Sequence, residues 1–485
     1  METIIEEKDT SAPIYSEIYD KSLADYEDDG TRRPYRYQQK GIEFGLERDA
    51  FALFWEMRLG KTITIIKTFK QKGCKKILVI CPKSVINTWI RELKLENIDA
   101  LQIDTVLARN EILNTVIKAM PGWYITNYET LIREDISDMS WDGIILDEAE
   151  KIKDPSTQIS KVLAGHFDQT DGETLDKYRY IPNRAILTGT PAPETLLNYF
   201  QQLKFLHGEF AGTSSFWKFK NSFFRHVGNN KYTPYLGIKE VLSKHLAENC
   251  FVLQRDQVGI GSKKIYEVRD TDLSPEMRKL YDEFESTWMT KEFQVQFAIA
   301  AYSHLRQMSG GFHKNMQLES HHKLDELKGI LKNDLKGERV IIWCAFRKEI
   351  KAIINALPKD SAEAFTGDTS IAKKKYLEDI FAYRNRKKDN KIKYLVCQTK
   401  TGCRGVDFAG ADQAIYFSNE LGCLYRHQSE DRIIHPEKEV PLLYIDIAAN
   451  NTICPDILDA LKSKIENQQG FLMLLHDKMR ERFGA

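Results

Sequence analysis

Five short apolar runs, rich in β-branched and aromatic residues, recur in the first part of the chain. They are FALFW (51–55), ILVIC (77–81), WYIT (123–126), GIILD (143–147) and AILT (185–188). A strand that is apolar on both faces must be covered on both faces, which is the environment of a parallel sheet flanked by helices. Longer stretches with helical spacing lie between the runs, so residues 31–205 are predicted to form a doubly wound α/β domain. From about 206 to 335 the alternation stops. Aromatic, helix-favouring sequence such as FWKFKNSFF and SPEMRKLYDEFESTW replaces it. After 335 the strand pattern returns in RVIIW (339–343), EAFT (363–366), YLVCQ (394–398), AIYFS (414–418) and LLYID (442–446). The expected organisation is therefore an arm over 1–30, a first α/β lobe over 31–205, a helical insertion over 206–335 and a second α/β lobe over 336–485.

Charge is distributed unevenly along these parts. The 485-residue chain holds 70 Lys and Arg against 70 Asp and Glu, a formal net charge of zero. A zero total argues against a nucleic-acid binder, whose footprint is usually basic. Residues 1–30, however, carry ten acids and two bases, a net of −8, so the remainder carries +8. The segment reads as a solvated, mobile acidic arm, with competition for a basic groove as its alternative role. Hydrophobic content of 42% and charged content of 29% exclude a disordered or collagen-like chain. The acidic start METIIEEKDT lacks the apolar core of a secretory signal. No stretch approaches the roughly 18 apolar residues of a membrane span. The 8 cysteines are scattered without a CxxC pair, as in reduced intracellular proteins.

Two motifs carry chemistry. The run FALFW leads into Glu56-Met57-Arg58-Leu59-Gly60-Lys61-Thr62 and then the helix-like ITIIKTF. That layout is strand, loop, helix. In it, backbone N–H groups around Gly60 and the helix start meet phosphates, Lys61 reaches the β/γ oxygens, and the Thr62 hydroxyl ligates magnesium. The first glycine of the full GxxxxGK[ST] pattern falls on Trp55. About 85 residues later GIILD ends in Asp147-Glu148-Ala149-Glu150. Acids at the carboxyl end of a parallel strand face the ligand crevice of an open α/β sheet. Asp147 is expected to hold magnesium and Glu148 to orient and deprotonate the attacking water.

With these motifs the chain resembles the superfamily 2 helicases, and within them the Swi/Snf-type DNA translocases, over about residues 34–465. Tyr37-Gln38 resembles the adenine-recognising segment, which implies that Gln38 reads the adenine edge. EMRLGKT stands where the family has EMGLGKT, with Arg58 replacing a glycine. The resemblance implies nucleic-acid contacts at Lys83 and Ser84 (after LVIC), Asn127 (in ITNYETL), Thr188 and Thr190 (in LTGTP), Gly367 (in TGDTS) and Thr401. FVLQRDQV, TDLSPEMRKLYDEF, SHLRQMSGG and HKLDELKGIL follow the order of the Swi/Snf insertions. In the second lobe, TGCRGVD implies nucleotide contacts at Gly405 and Asp407, and Gln428-Ser429-Glu430-Asp431-Arg432 resembles QxxDR.

One position departs from this pattern. Where the family places a second arginine, the arginine finger, this chain has His435. A finger in cis can be worth 10³–10⁵ in rate, and a mostly neutral imidazole replaces only part of that. Arg432, Arg404 or Arg426 could carry the work, or hydrolysis is slow. His304, His313, His321 and His322 match no zinc spacing. The basic positions Lys373 to Lys375, Arg384, Arg386, Lys387, Lys388 and Lys391 are either a solvated face or part of a path for nucleic-acid phosphates.

The resemblance implies two RecA-like parallel-sheet P-loop NTPase lobes with a helical insertion, using ATP and magnesium in the cleft between them. The expected activity is an ATP-hydrolysing DNA motor in replication, recombination or repair. Duplex or branched DNA is favoured over RNA. A strand-separating helicase and an ATP-gated DNA-binding clamp are the alternatives. The compact length looks like the stand-alone bacterial or bacteriophage members, which implies a monomer in a bacterial or phage-infected cytoplasm.

Overall fold

The computed structural model describes residues 4–6, 30–165, 167–168, 172–173, 177–228, 232–288, 303–313, 317–318, 320–403 and 405–467. The acidic arm, apart from Ile4–Glu6 and Gly30, and Arg404 lie outside the described residues. The chain divides into two compact units at Gly261.

The first unit is built on a seven-stranded sheet. Its strands are β1 (Ala50–Trp55), β2 (Lys76–Cys81), β3 (Ala100–Gln102), β4 (Gly122–Asn127), β5 (Gly143–Asp147), β6 (Asn183–Leu187) and β7 (Cys250–Leu253). They lie in the order β7-β1-β6-β5-β2-β4-β3, and every pairing is parallel. Every residue of β1, β2 and β7 is buried, as expected for strands covered on both faces. Helices α1 (Arg36–Leu46), α2 (Lys61–Gln71), α3 (Ile86–Leu95) and α4 (Tyr128–Arg133) belong to this unit. Ile63, Ile65, Ile66 and Phe69 of ITIIKTF are the buried side of α2.

The second unit has its own seven-stranded sheet. Strands β8 (Lys264–Thr271), β9 (Val340–Cys344), β10 (Ala362–Phe365), β11 (Tyr394–Gln398), β12 (Gln413–Tyr416) and β13 (Leu442–Ala449) pair in parallel in the order β8-β13-β12-β9-β11-β10. The short strand Ile4–Glu6 adds antiparallel to β8 at the edge. Helices α5 (Ile371–Phe381) and α6 (Cys423–Glu430) belong to this unit. Both sheets thus carry the parallel α/β architecture expected of RecA-like lobes.

Residues 206–335 hold more than helices. Phe216–Phe223 and Ile238–Asn249 fold with the first unit, while Pro275–Trp288 and His322–Gly329 fold with the second. Strands β7 and β8, which lie in this span and were not among the expected strands, each complete one of the two sheets. In β8 the charges obscure the strand pattern; Asp270 is exposed, and the other three are paired. Lys264 pairs with Glu430 at 3.0 Å, and Arg269 pairs with Glu267 and, at 3.0 Å, with Asp334.

Candidate functional site

The phosphate loop leaves the carboxyl end of β1 and returns through Gly60 into α2. Gly60 has φ 77°, in the left-handed region, and a Cβ there would come within 2.2 Å of Gln38 Nε2. A glycine is required on both counts. Gln38 is buried against the loop: its Nε2 donates to Leu59 O at 3.1 Å and its Oε1 accepts from Tyr35 N at 2.9 Å. The loop therefore rests on the residue expected to read adenine. Arg58, in the family's glycine position, has φ 70°. An L-residue there stores about 1–3 kcal/mol of backbone strain. Lys61 Nζ donates to Trp55 O at 2.8 Å and Glu56 O at 3.2 Å, curling over the loop, and Thr62 is half-buried in the first turn of α2.

A residue with no role in the sequence reading clamps this loop from the side. Glu56 N donates to Leu253 O of β7 at 2.9 Å. The Glu56 carboxylate accepts from Arg255 N at 2.7 Å and faces the Arg255 guanidinium at 3.3 Å. Arg255 is buried, and its segment FVLQRDQV was recognisable only as part of the insertion.

The acid motif sits at the carboxyl end of β5, two strands from β1 in the same sheet. Asp147 Oδ2 accepts from Trp89 Nε1 of α3 at 2.8 Å, and its Oδ1 accepts from Glu148 N at 3.0 Å. Burial and the neighbouring Glu148 push Asp147 up to about 6, against the opposing pull of Trp89 and Lys61. The Lys61 contribution brings the two motifs into one electrostatic site. Glu148 adopts φ 55° and ψ 55°, a strained backbone that sets the direction of its side chain. Glu150 is buried and accepts from Thr188 Oγ1 at 2.8 Å, while Thr190 N donates to the same Thr188 hydroxyl at 3.0 Å. Tyr128 OH donates to Asp147 O at 2.8 Å, tying the start of α4 to the acid strand.

The structure thus brings Gln38, Gly60, Lys61, Thr62, Asp147 and Glu148 to one edge of the first sheet. A hard magnesium ion takes oxygen ligands, and the Thr62 hydroxyl and Asp147 carboxylate are of that type. Among the described residues no group of three or more His, Cys, Asp or Glu side chains converges as a complete protein cage.

The residues expected to meet nucleic acid fall into two groups. Lys83 and Ser84 are exposed in a short 3-10 turn (Lys83–Val85) after β2. Gly367 and Thr401 are neighbours, a Cβ on Gly367 lying 4.0 Å from Thr401 Oγ1. Asn127, Thr188 and Thr190 are buried. Asn127 caps α4 by accepting from Thr130 N at 3.1 Å, and Thr188 is engaged with Glu150. The Thr190 hydroxyl is buried with no hydrogen-bond partner.

In the second unit Arg432 is buried and reaches back to the glycine-rich loop. Its Nε donates to Gln428 O at 2.8 Å and its guanidinium to Val406 O at 3.0 Å, between Gly405 and Asp407. Asp407 Oδ1 accepts from Ala409 N at 3.0 Å. His435 stacks on Tyr383, the ring centroids 3.7 Å apart and the planes at 12°. Arg426 is consumed internally: it grips Asp446 at 2.6 and 2.9 Å and Glu430 at 2.6 Å. Burial raises Glu430, but Lys264 and Arg426 outweigh it and hold this carboxyl at about 2. Arg426 is therefore no substitute for a finger.

A family model described as the SNF2-related domain matches residues 37–327, and one described as the helicase conserved C-terminal domain matches residues 322–436. The chain belongs to the SNF2-related family. Similar curated proteins include the ISWI chromatin-remodeling complex ATPase ISW1 of Saccharomyces cerevisiae, 30% identical over 36% of this chain and 16% of that protein. The DNA excision repair protein ERCC-6-like of Danio rerio is 27% identical over 52% of this chain and 17% of that protein. The matches thus span only a small part of those relatives. A solved structure, the Sulfolobus solfataricus SWI2/SNF2 ATPase core in complex with dsDNA, aligns with 92% of this chain and 95% of that chain at 19% identity. Its TM-score is 0.41, a level of likeness that supports no inference about this chain.

All the residues assigned from sequence, Gln38 through His435, fall inside the two matched spans of this SNF2-related chain. Arg255, Trp89, Tyr128 and Glu150 were missed as parts of the site. Glu150 stands in DEAE, Tyr128 in ITNYETL and Arg255 in FVLQRDQV, but none of these segments assigns that residue a role.

Proposed function

We propose that this chain is an ATP-hydrolysing DNA motor of the Swi/Snf type, which moves on or remodels DNA in replication, recombination or repair. The observation that carries the proposal is the assembly of Lys61, Asp147 and Glu148 at one sheet edge, joined through Glu150 and Thr188 to the LTGTP segment. ATP would be held by Gln38 at the adenine and by the loop N–H groups and Lys61 at the phosphates. Thr62 and Asp147 would hold magnesium, which would supply charge neutralisation at the phosphates. Glu148 orients the attacking water and takes its proton. Arg432 is the second-unit residue assigned to the phosphates, with Gly405 and Asp407 on the nucleotide and His435 beside them.

Lys83, Ser84, Asn127, Gly367 and Thr401 are assigned to the nucleic-acid side. Thr188 and Thr190 serve it as a link: a shift of LTGTP on DNA would move the hydrogen bond that holds Glu150 two residues from Glu148. The chemistry of this set is backbone contact without a base-reading module, so binding follows DNA structure more than sequence.

His435 favours one other reading, an ATP-gated DNA clamp that hydrolyses weakly. The test is the ATPase rate with single-stranded, duplex, forked and four-way DNA and with RNA. Multiple turnover accelerated by duplex or branched DNA is expected. Stimulation by RNA alone would defeat the Swi/Snf assignment, and absence of turnover on every DNA would leave the clamp.

A further inference from the structure

At the amino ends of β9, β11 and β12 the second unit carries a polar pocket of about 400 Å³. The sheet is parallel there, so this edge is opposite the turns that carry Gly367 and Thr401. Strands of four or five residues at about 3.3 Å each put the two edges roughly 15 Å apart. Five cations line the pocket: Arg339, Arg386, Lys387, Lys388 and Lys393. Of its three acids, Asp389 is paired with Lys393 at 2.8 Å and Asp412 with Lys438 at 2.7 Å. The basic run Arg386 to Lys388 thus faces one remaining acid, Glu338.

The loop bearing that run is fastened. Arg339 is buried at the start of β9, and its guanidinium donates to Ile380 O at 2.8 Å, Asn385 O at 3.1 Å and Lys388 O. Asn385 Nδ2 donates to Asp379 O at 2.7 Å. The Arg386 guanidinium lies 3.6 Å from the centroid of Tyr383, whose ring is also stacked on His435. Cations held in place lose less freedom on binding than lysines on a loose chain.

The lining also says what kind of ligand fits. No aromatic residue lines the pocket, and Tyr383 is covered by Arg386 and His435. A base or nucleoside needs an apolar or stacking surface. A chain of phosphates needs only fixed cations.

We propose that this pocket is a second DNA contact, taking backbone phosphates at the edge of the second sheet away from Gly367 and Thr401. The site rests on the DNA-motor reading above. It would hold a stretch of duplex outside the track that the motor residues follow, independent of sequence.

The test uses the full chain with Lys387→Ala and Lys388→Ala combined, and Lys387→Arg with Lys388→Arg as the charge-preserving control. Duplex affinity is measured by fluorescence anisotropy across salt concentrations. The alanine pair should bind about 10-fold more weakly at low salt. Its log affinity against log salt should be shallower by about 1.8, two phosphates at about 0.9 each. The arginine pair should match wild type, and the ATPase rate at saturating DNA should stay within about twofold. Unchanged affinity and slope in the alanine pair, with DNA-stimulated ATPase intact, would overturn the site alone. Calorimetry with inorganic phosphate forms the second arm: phosphate binding lost in the alanine pair while DNA binding persists would assign the pocket to free phosphate instead. A wild-type chain that binds no DNA would overturn this site and the motor reading together.

Discussion

In the first unit the phosphate loop is surrounded by fixed partners. Gln38 supports Leu59 and Gly60, Arg255 holds Glu56, and Lys61 opposes Asp147. In the second unit the family's finger position is filled by His435, which lies flat on Tyr383, while the nearby Arg426 is locked onto Asp446 and Glu430. Arg432 is buried against the carbonyls of Gln428 and Val406, and Arg404 lies outside the described residues. The first arrangement is suited to binding nucleotide in ground and transition state alike. Interactions that strengthen only in the transition state raise the turnover rate, and there the second unit is depleted. We propose that the first unit supplies the ATP-binding groups and that the second supplies fewer cations for hydrolysis than the family pattern does.

The largest effect is expected at Arg432. Arg432→Ala should lower DNA-stimulated hydrolysis by about 10³-fold or more if this residue is the remaining finger; an unaltered rate would end that assignment. Glu148→Gln should follow, with kcat lower by about 10²–10⁴-fold and ATP affinity kept. Equilibrium binding of a fluorescent ATP analogue checks the second half, and lost affinity would mean that Glu148 shapes the loop instead.

A smaller effect is expected at Arg255. Arg255→Gln leaves the half-buried Glu56 carboxylate without its cation, a defect of about 1–2 kcal/mol. It should raise the ATP KM about 10-fold while kcat changes less, and Arg255→Lys should recover part of the loss. A fall in kcat at constant KM would remove the clamp from the binding half. The smallest effect is at Arg58. Arg58→Gly relieves the left-handed strain of about 1 kcal/mol, so the melting temperature of the first unit should rise by about 2 °C. A lower melting temperature would mean that contacts of the Arg58 side chain outweigh the strain.

These residues also show how far the sequence could be read. Runs such as FALFW, GIILD and YLVCQ could be located because a strand buried on both faces has no place for charge, and they carry none before their last residue. KIYEVRDT of β8 hides its strand pattern because Lys264 and Arg269 are paired with Glu430 and Asp334, partners that only the fold supplies, while Asp270 faces solvent. Ala100–Gln102 is three residues long and largely exposed at the sheet edge, so it has no burial pattern to read. The same holds in the site. Gly60, Lys61 and Thr62 are contiguous and follow a strand, and Asp147 with Glu148 ends one, so local order gave them away. Arg255 meets Glu56 across 199 positions, and Thr188 meets Glu150 across 38. Asn127 had a motif, yet its carbonyl oxygen is occupied by the α4 cap, a role that local sequence did not separate from DNA contact.

We propose that the nucleotide-binding half of the site is complete while its transition-state cations are short by one. Single-turnover hydrolysis on duplex DNA, comparing wild type with His435→Arg, tests it most directly. His435→Arg should show a faster chemical step at unchanged ATP affinity. An equal or slower step would contradict it, because position 435 would then not be where this chain lacks a charge.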